Sequence, residues 1–315
     1  MPLARVTGGA AAAVAAALVV LAGSAGGAPV PEAPGCELFP PSNHWNQRVD
    51  DLPVHRRSGE IVRSIGRGDH LHPDFGSGTW DGGPIGIPYT SVSGEQRRVP
   101  VSFRYDDESD PGPYPIPRDA PIEGGPRSDG DRHVLVVDRD ACTLYELFDA
   151  HPIDGGDRWR AGSGATWDLD SNAQRPAGWT SADAAGLPIL PGLARYDEVR
   201  SGEIDHALRV TVERTRRHYV YPASHYASDL MSRNLPSMGQ RLRLRPGYDI
   251  SGFPYQARVV LRALKRYGMI VADNGSDWYV SGAPDPGWDN DALHVLQEVE
   301  GRAFQVVNTS SLPRP

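Results

Sequence analysis

The sequence predicts a mainly β protein with a few helices, folded as a single antiparallel domain that resembles a β-sandwich or jelly roll. Short runs of β-branched, aromatic and aliphatic residues outnumber the segments with helical periodicity. Hairpin patterns outnumber strand–helix–strand crossovers, which favours antiparallel sheets. The 35 Gly and 29 Pro imply many turns, while seven Trp and twelve Tyr supply bulky side chains for a core.

The first 28 residues are organised like a secretory signal peptide. Arg5 supplies a positive charge, Ala10–Leu21 is apolar, and small residues between Ala25 and Ala33 offer cleavage sites. The apolar run is shorter than the roughly 20 residues that span a bilayer, although an uncleaved N-terminal anchor is the alternative. We therefore predict a secreted, extracellular protein that is not membrane-bound after cleavage, with residues 29–315 forming one β-rich domain.

Charge and cysteine content restrict the partners and the compartment. The net charge is −8, and no cluster of Lys and Arg is interleaved with aromatic residues, so nucleic acid is a poor candidate partner. The two cysteines are Cys36 and Cys142. In an oxidising compartment they predict one disulfide, and two separate buried thiols are the alternative. The closed loop of about 105 residues corresponds to about 4–5 kcal/mol in the chain-entropy model.

The elements before the centre of the chain are short. Ser58–Arg67 predicts a helix with an apolar stripe and a glycine near its end. Strands are predicted at Ile85–Thr90 and Val99–Tyr105, and the acidic, Pro-rich stretch Asp106–Pro117 predicts a surface loop. The segment His70–Asp74 contains two His and one Asp, which could bind a metal, but we favour hydrogen bonding within a loop and predict no metal site.

The clearest hairpin of the sequence lies near its centre. Val134–Val137 and Thr143–Phe148 are rich in strand-forming residues, and Asp138–Ala141 has the composition of a turn. The register that this turn implies places His133 directly opposite Glu146, about 5 Å apart at Cβ. An imidazole and a carboxylate at this distance are candidates for general acid–base catalysis.

Two segments after the hairpin are candidates for ligand binding. Asp168–Asn172 alternates oxygen-bearing side chains as calcium loops do, but Ala173 and Trp179 stand where an EF-hand needs Gly and Glu. We therefore predict no cofactor and retain an irregular Ca²⁺ site as the alternative. Residues 174–199 form a long irregular connection, and connections of this length often form a lid or a binding wall.

Asp205 and His206 complete the predicted catalytic set. Neighbouring residues on an extended backbone point to opposite faces, so only one of the two would face a cleft, and a structural, hydrogen-bonded His206 is the alternative. Aromatic side chains that could stack on sugar rings lie nearby in the sequence, although such residues are also common in cores. The predicted substrate-binding residues are Trp159, Trp167, Tyr219, Tyr221 and Tyr226.

The last third of the chain is more regular. Arg209–Glu213 and Tyr219–Pro222 predict a second hairpin, and Met269–Ala272 and Trp278–Val280 predict a third. Tyr255–Tyr267 predicts an amphipathic helix whose basic last turn complements the helix dipole. The remaining predicted elements are strands at Arg241–Arg245 and Phe304–Val307 and a helix at Asn290–Val299.

Several sequence strings resemble a group of secreted bacterial proteins without an established activity. The resemblance runs over nearly the whole mature chain and includes DFGSGTWDGGPIGIPY, GDRHVLVVDRDACTLYELFDA, WTSADAAGLPILPGL and YGMIVADNG. It implies one continuous domain and implies no particular chemistry.

Two hypotheses of function follow. The first is a secreted carbohydrate-active enzyme, a polysaccharide hydrolase or lyase, in which His133, Glu146 and either Asp205 or His206 transfer protons. The second is a non-catalytic carbohydrate-binding or cell-surface protein, in which the same residues satisfy hydrogen bonds in a core. Convergence of the polar residues on one pocket would favour the enzyme, and an exposed aromatic strip would favour the binding protein. We favour the enzyme, acting as a monomer on a polysaccharide or glycan.

Overall fold

The computed structural model describes Met1 and residues 27–315. The predicted signal peptide, residues 1–28, therefore lies almost entirely outside the described residues. None of the helices formed by the described residues is long and apolar enough to span a bilayer.

The secondary structure is 24% strand and 16% helix, which confirms the predicted mainly β fold with few helices. The strands are β1 (His72–Asp74), β2 (Thr79–Trp80), β3 (Gly83–Pro84), β4 (Tyr89–Val92), β5 (Val101–Phe103), β6 (Val134–Asp138), β7 (Thr143–Phe148), β8 (His151–Ile153), β9 (Arg158–Ala161), β10 (Ser163–Asp168), β11 (Leu208–Val212), β12 (Arg241–Leu244), β13 (Met269–Asn274), β14 (Tyr279–Ser281) and β15 (Phe304–Val306). The α-helices are α1 (Ser58–Ile65), α2 (Tyr196–Ser201), α3 (Tyr255–Arg266) and α4 (Asn290–His294). Short 3₁₀ turns lie at Asp106–Glu108, Asp154–Gly156, Leu190–Gly192, Val295–Glu298 and Gly301–Ala303.

The strands form sheets of mixed direction. The largest sheet has the order β1-β14-β11-β13-β12-β15, and the second has the order β10-β7-β6-β4. A three-stranded sheet, β5-β9-β8, and the small pair β2-β3 complete the set in the described chain. Most pairs are antiparallel, as predicted, but β1–β14, β11–β13, β4–β6 and β5–β9 are parallel. The sandwich or jelly-roll arrangement stays a prediction.

The central hairpin forms from the predicted strands, but its predicted register is wrong. Leu135 pairs with Glu146, so His133 does not lie directly opposite Glu146. The physical reason is the turn, where Asp138 Oδ1 accepts hydrogen bonds of 3.2 Å from two backbone N–H groups and extends the turn to Cys142. The shift of two residues leaves every side chain on its predicted face of the sheet.

The other two predicted hairpins do not form. Strand β11 lies between β13 and β14, parallel to the former and antiparallel to the latter. The residues predicted as a turn, Asp273 and Asn274, continue β13 because Asn274 Nδ2 donates to the carbonyls of Val212 and Glu213 at the end of β11. Residues 219–222 contain no strand and form a single bridge, from Tyr219 to Met238.

Both faces of the central hairpin are buried. Leu135, Val137 and Leu144 belong to the main core, which includes the six-stranded sheet and α3. Val134, Val136, Tyr145 and Leu147 point the other way, into a smaller core with Trp159. Burial on both sides explains why the hairpin sequence is apolar almost without alternation.

The predicted disulfide is confirmed. Cys36 and Cys142 are joined by an S–S bond of 2.04 Å across 106 positions of sequence. The bond fastens the segment after the predicted signal peptide to the turn of the central hairpin.

Candidate functional site

His133 is the sequence-predicted residue around which a polar site is built. The ring is buried, Nδ1–H donates to Glu123 Oε2 at 2.6 Å, and Nε2–H donates to the carbonyl of Ala182 at 3.1 Å. Because both ring nitrogens face acceptors, the geometry favours the doubly protonated imidazolium. Burial opposes this charge, but the Glu123 carboxylate outweighs it and raises the pKa of His133 to about 9.

Glu123 is held in place by the backbone as well as by the imidazole. Its N–H donates to the carbonyl of His133 at 3.0 Å, so the loop before β6 runs beside the start of that strand. Gly124 and Gly125 follow with positive φ angles of 67° and 86°, a conformation that glycine adopts without strain. This Gly-Gly turn also passes so close to Gly83 that a Cβ there would lie 2.0 Å from the Gly124 carbonyl carbon.

Glu123 opens onto a cavity of about 670 Å³. Its side chain is 23% exposed, and Asp74 and Tyr279 lie on the same cavity wall. The Tyr279 ring stacks on the His72 ring with centroids 4.0 Å apart. His72 starts β1 and Tyr279 starts β14, so the stack lies across this parallel pair of strands. Trp80 stands on the cavity wall with 80% of its surface exposed. The cavity thus combines carboxyl groups with aromatic rings.

The two carboxyl groups of this cavity differ in their acidity. Burial, together with the negative charge of Glu123, raises the pKa of Asp74. Burial also disfavours the ionised form of Glu123, but the charge and hydrogen bonds of His133 outweigh it and hold the pKa of Glu123 below its ordinary value. At neutral pH, Asp74 is therefore the better proton donor and Glu123 the better-stabilised anion.

A second polar group lies behind His133, around the buried guanidinium of Arg209. Arg209 donates to both carboxylate oxygens of Asp183 at 2.7 Å, and to Ser281 Oγ at 2.7 Å. It also lies 3.3 Å from Asp273 Oδ2. Burial and the neighbouring Asp183 carboxylate raise the pKa of Asp273 well above its ordinary value, against the effect of Arg209. Of the two carboxyl groups, Asp183 therefore forms the closer pair with the guanidinium.

His133 connects the two polar groups. Asp183 and Asp273 line a smaller cavity of about 160 Å³, whose wall includes Ala182, the acceptor of the Nε2–H bond. The ring thus bridges Glu123 on the larger cavity and the Ala182 carbonyl on the smaller one. The predicted binding wall at residues 174–199 supplies this edge of the smaller cavity, through residues 180–184.

Glu146, the predicted partner of His133, has a different environment. Its buried carboxylate accepts hydrogen bonds from the backbone N–H groups of Ile189 and Leu190, all between 2.9 and 3.0 Å. It therefore fixes the start of the 3₁₀ turn Leu190–Gly192. Burial raises the pKa of Glu146 to about 7, against the effect of these two backbone hydrogen bonds.

We expect Glu146→Gln to affect stability and leave catalysis intact. The amide offers one acceptor oxygen and brings an N–H₂ group against backbone donors, which costs about 1–3 kcal/mol of unfolding free energy. Urea denaturation of the variant and of wild type at pH 7 measures this loss. If a correctly folded Glu146→Gln protein has a kcat about a hundredfold lower, Glu146 takes part in catalysis as the sequence predicts.

Asp205 and His206 lie outside this site. His206 is buried, Nδ1–H donates to the carbonyl of Ala207 at 2.8 Å, and Nε2 lies 3.1 Å from Glu198 Oε1. Glu198 is in turn 3.0 Å from Arg195, which makes His206 part of a buried ion cluster beside α2. Burial and the nearby Glu203 raise the pKa of Asp205. Neither residue lines the two cavities around His133.

The two predicted sugar-binding Trp residues are buried. Trp159 lies in the smaller core, and Trp167 packs in the main core under the guanidinium of Arg175, 5.7 Å from its ring centroid. Trp167 also borders a cavity of about 700 Å³ beside Asp168 and Asp170 of the predicted calcium loop. Asp168 Oδ1 there accepts a hydrogen bond from the Asp170 N–H. The described residues contain no group of three or more His, Cys, Asp or Glu side chains placed to hold a metal ion.

The three predicted Tyr residues are divided between two places. Tyr219 and Tyr226 stack with centroids 6.3 Å apart, and the adjacent His225 donates to the carbonyl of Ala184 on the wall of the smaller cavity. Tyr221 lies elsewhere, and its buried hydroxyl has no hydrogen-bond partner among the described residues. Only the first two are therefore near the site.

The acidic and basic residues that complete the site were missed in the sequence analysis. Glu123 stands before a Gly-Gly pair, Asp74 ends the His-rich segment, and Asp183 lies within the long connection that the sequence marks as a binding wall. Arg209 carries the strongest available signal, since a charged residue inside an apolar strand of β-branched residues requires a buried counter-ion. Asp273 lies between the two predicted strands of the third hairpin, where the sequence predicts a turn.

Comparisons with protein-family models, with curated proteins and with solved structures find no match to this chain.

Proposed function

We propose that the protein is a secreted carbohydrate-active enzyme that hydrolyses a polysaccharide, with Asp74 as the general acid and Glu123 as the ionised carboxylate. The supporting observation is that two carboxyl groups on one cavity wall have pKa values displaced in opposite directions. Glycoside hydrolysis uses such a pair, one protonated to assist the leaving group and one ionised to act as nucleophile or base.

His133 acts in this proposal as a positioning residue. It donates to Glu123 with one ring nitrogen and to the Ala182 carbonyl with the other, so the carboxylate keeps both its orientation and its charge. The positive ring also opposes protonation of Glu123.

The aromatic residues of the cavity fit a sugar ligand. The exposed indole of Trp80 and the phenol ring of Tyr279 offer apolar faces for pyranose rings. Arg127 lies on the same wall and could pair with the carboxylate of a uronic acid. The exposure of Trp80 also favours a second candidate, non-catalytic glycan binding at the same cavity.

Secretion is part of the proposal. The disulfide between Cys36 and Cys142 is typical of proteins that fold in an oxidising compartment. The positive, apolar and small-residue regions of the first 28 residues agree with export.

The test is incubation with a panel of neutral and uronic polysaccharides. Release of reducing sugar measures hydrolysis, and a rise in absorbance at about 235 nm would instead indicate a lyase. We expect Asp74→Asn to lower kcat at least about a hundredfold, since a positioned general acid contributes about 10²–10⁴-fold. Asp119→Asn, which removes an exposed carboxylate that does not line this cavity, serves as the matched control and should retain activity.

The outcome for Trp80 separates catalysis from binding. Trp80→Ala should raise KM about tenfold with little change in kcat, because stacking contributes about 1–1.5 kcal/mol to binding. An active Asp74→Asn enzyme would contradict the assignment of the acid. Wild type that binds glycans through Trp80 and hydrolyses none of them would establish the binding protein instead.

A further inference from the structure

A fourth cavity, of about 300 Å³, lies at the N-terminal end of α1 and is strongly basic. It is lined by side chains from three separate segments, namely residues 55–61, 216–220 and 233–240. Its charged or titratable lining residues are Arg56, Arg57, Arg216, Arg233, His55 and His218. No Asp or Glu belongs to the lining, although the chain as a whole has a net charge of −8.

The four guanidinium groups are not neutralised by the described part of the chain. Across residues 27–315, none of them forms a salt bridge, and Arg57 donates to the neutral side-chain oxygen of Asn234 at 2.8 Å. Burial and the positive charges of Arg233 and Arg57 lower the pKa of Arg216. Burial and the nearby arginines likewise lower the pKa of His55 and of His218. The cavity therefore concentrates positive charge that repels itself in the absence of an anion.

The start of α1 adds a second feature that attracts anions. The helix begins after Arg57 without a side-chain cap. The Ser58 N–H donates to the His55 carbonyl at 2.8 Å, and the next N–H groups, of Gly59 and Glu60, lack the usual side-chain acceptor. Backbone donors at a helix N-terminus together with nearby guanidinium groups are a recurrent arrangement for holding phosphate. Ile61, Val220 and Leu235 supply an apolar part of the same wall.

We propose that this cavity is a binding site for a phosphate-bearing ligand, whose phosphoryl oxygens accept hydrogen bonds from Arg57, Arg216 and Arg233. A phosphate dianion suits several guanidinium groups better than a carboxylate does. Each planar guanidinium offers two parallel N–H donors, and the tetrahedral phosphate has enough oxygens to accept from more than one of them. The volume exceeds that of a phosphate ion, and the apolar wall suits a small organic group attached to it. The site shares no lining residue with the cavity of Asp74 and Glu123 and is independent of the proposed hydrolysis.

The test is isothermal titration calorimetry of the full chain with inorganic phosphate and with pyrophosphate, at fixed ionic strength, which measures the Kd of each. We expect both to bind at one site, pyrophosphate more tightly, and the double variant Arg216→Ala/Arg233→Ala to weaken the Kd at least tenfold. Arg139→Ala removes an exposed arginine from the turn of the central hairpin and should leave the Kd unchanged.

Acetate and chloride at the same ionic strength are the comparison anions. Weaker binding of both supports a phosphate site, and the rise in melting temperature with phosphate should disappear in the double variant. If acetate binds as tightly as phosphate, or if the Arg139→Ala and double variants behave alike, the proposal is wrong. A double variant that unfolds is replaced by the single variant Arg233→Gln, for which the expected loss of affinity is at least threefold.

Discussion

We expect replacement of Glu123 with Gln to lower kcat for the proposed glycan hydrolysis by about 10²–10⁴-fold and, in the same protein, to move the pKa of His133 from about 9 to below its ordinary value. Both effects have one cause. The carboxylate supplies the negative charge that the proposed reaction needs, and the same charge outweighs the burial of the imidazole. Without it, burial is the largest remaining influence on His133, and together with the positive charge of Arg209 it favours the neutral ring against the effect of Asp131.

The pH dependence of stability gives an independent readout. The folded-state pKa of His133 lies above its unfolded value, so its contribution is fully present below pH 6.5 and is lost as the pH rises to about 9. The slope in that window is up to about 1.4 kcal/mol per pH unit. Urea denaturation of wild type between these pH values should show the decline, and Glu123→Gln should flatten it.

The measurements are kcat on the most active polysaccharide and NMR titration of the His133 ring protons. Glu37→Gln removes an exposed carboxylate near the N-terminal end of the described chain and serves as the control, with both quantities unchanged. A variant in which the His133 pKa falls while kcat stays at the wild-type value would show that Glu123 orients the imidazole and takes no part in catalysis.

The difference between His133 and its partner shows what the sequence could predict. The strand pattern located β6 and β7 and placed His133 at the start of the hairpin, because such signals are local. The predicted partner, Glu146, is wrong because the pairing of β6 with β7 depends on the length of the turn between them. The hydrogen bonds to the Asp138 side chain set that length, and strand patterns do not show it. The actual partner, Glu123, lies in a loop, and no periodicity marks a residue there.

The helices and the sheet order illustrate the same limit. The helix predicted at Tyr255–Tyr267 is observed as Tyr255–Arg266, and Ser58–Arg67 as Ser58–Ile65, since apolar spacing and end signals fix helices locally. Strand β11 between β13 and β14 could not be predicted, because short turn-rich segments favour hairpins and the insertion of a third strand depends on distant contacts. The same preference for hairpins explains why the sequence predicts a turn at Asp273, which the structure places in β13.

Replacing Arg209 with Met should destabilise the protein by about 3–5 kcal/mol, because it leaves a buried carboxylate without its counter-ion. The Asp183 side chain is 0% exposed and receives two hydrogen bonds of 2.7 Å from the guanidinium. Asp273 loses the same neighbour at the longer distance of 3.3 Å, so the cost falls mainly on Asp183. Urea denaturation at pH 7, with unchanged m-values, measures the difference from wild type.

The double variant Arg209→Met/Asp183→Leu separates the two contributions to this loss. With neither charge present, no ion is left unpaired, and a buried pair replaced by apolar groups is often close to neutral in stability. The double variant should therefore recover most of the loss. Arg158→Met, which removes an arginine from the exposed pair with Asp154, should change stability by less than about 1 kcal/mol.

Measurements at lower pH separate the effect of the unpaired charge from the effect of lost packing. A buried carboxylate that has lost its counter-ion takes up a proton more readily, so the stability of the Arg209→Met protein should approach that of wild type as the pH falls from 7 to 4. A penalty that stays constant across this range would mean that the loss of stability comes from the lost packing of the long Arg209 side chain and not from the unpaired charge. In that case the double variant would show no recovery, and Arg209 would act as a spacer between β11 and the segment that carries Asp183.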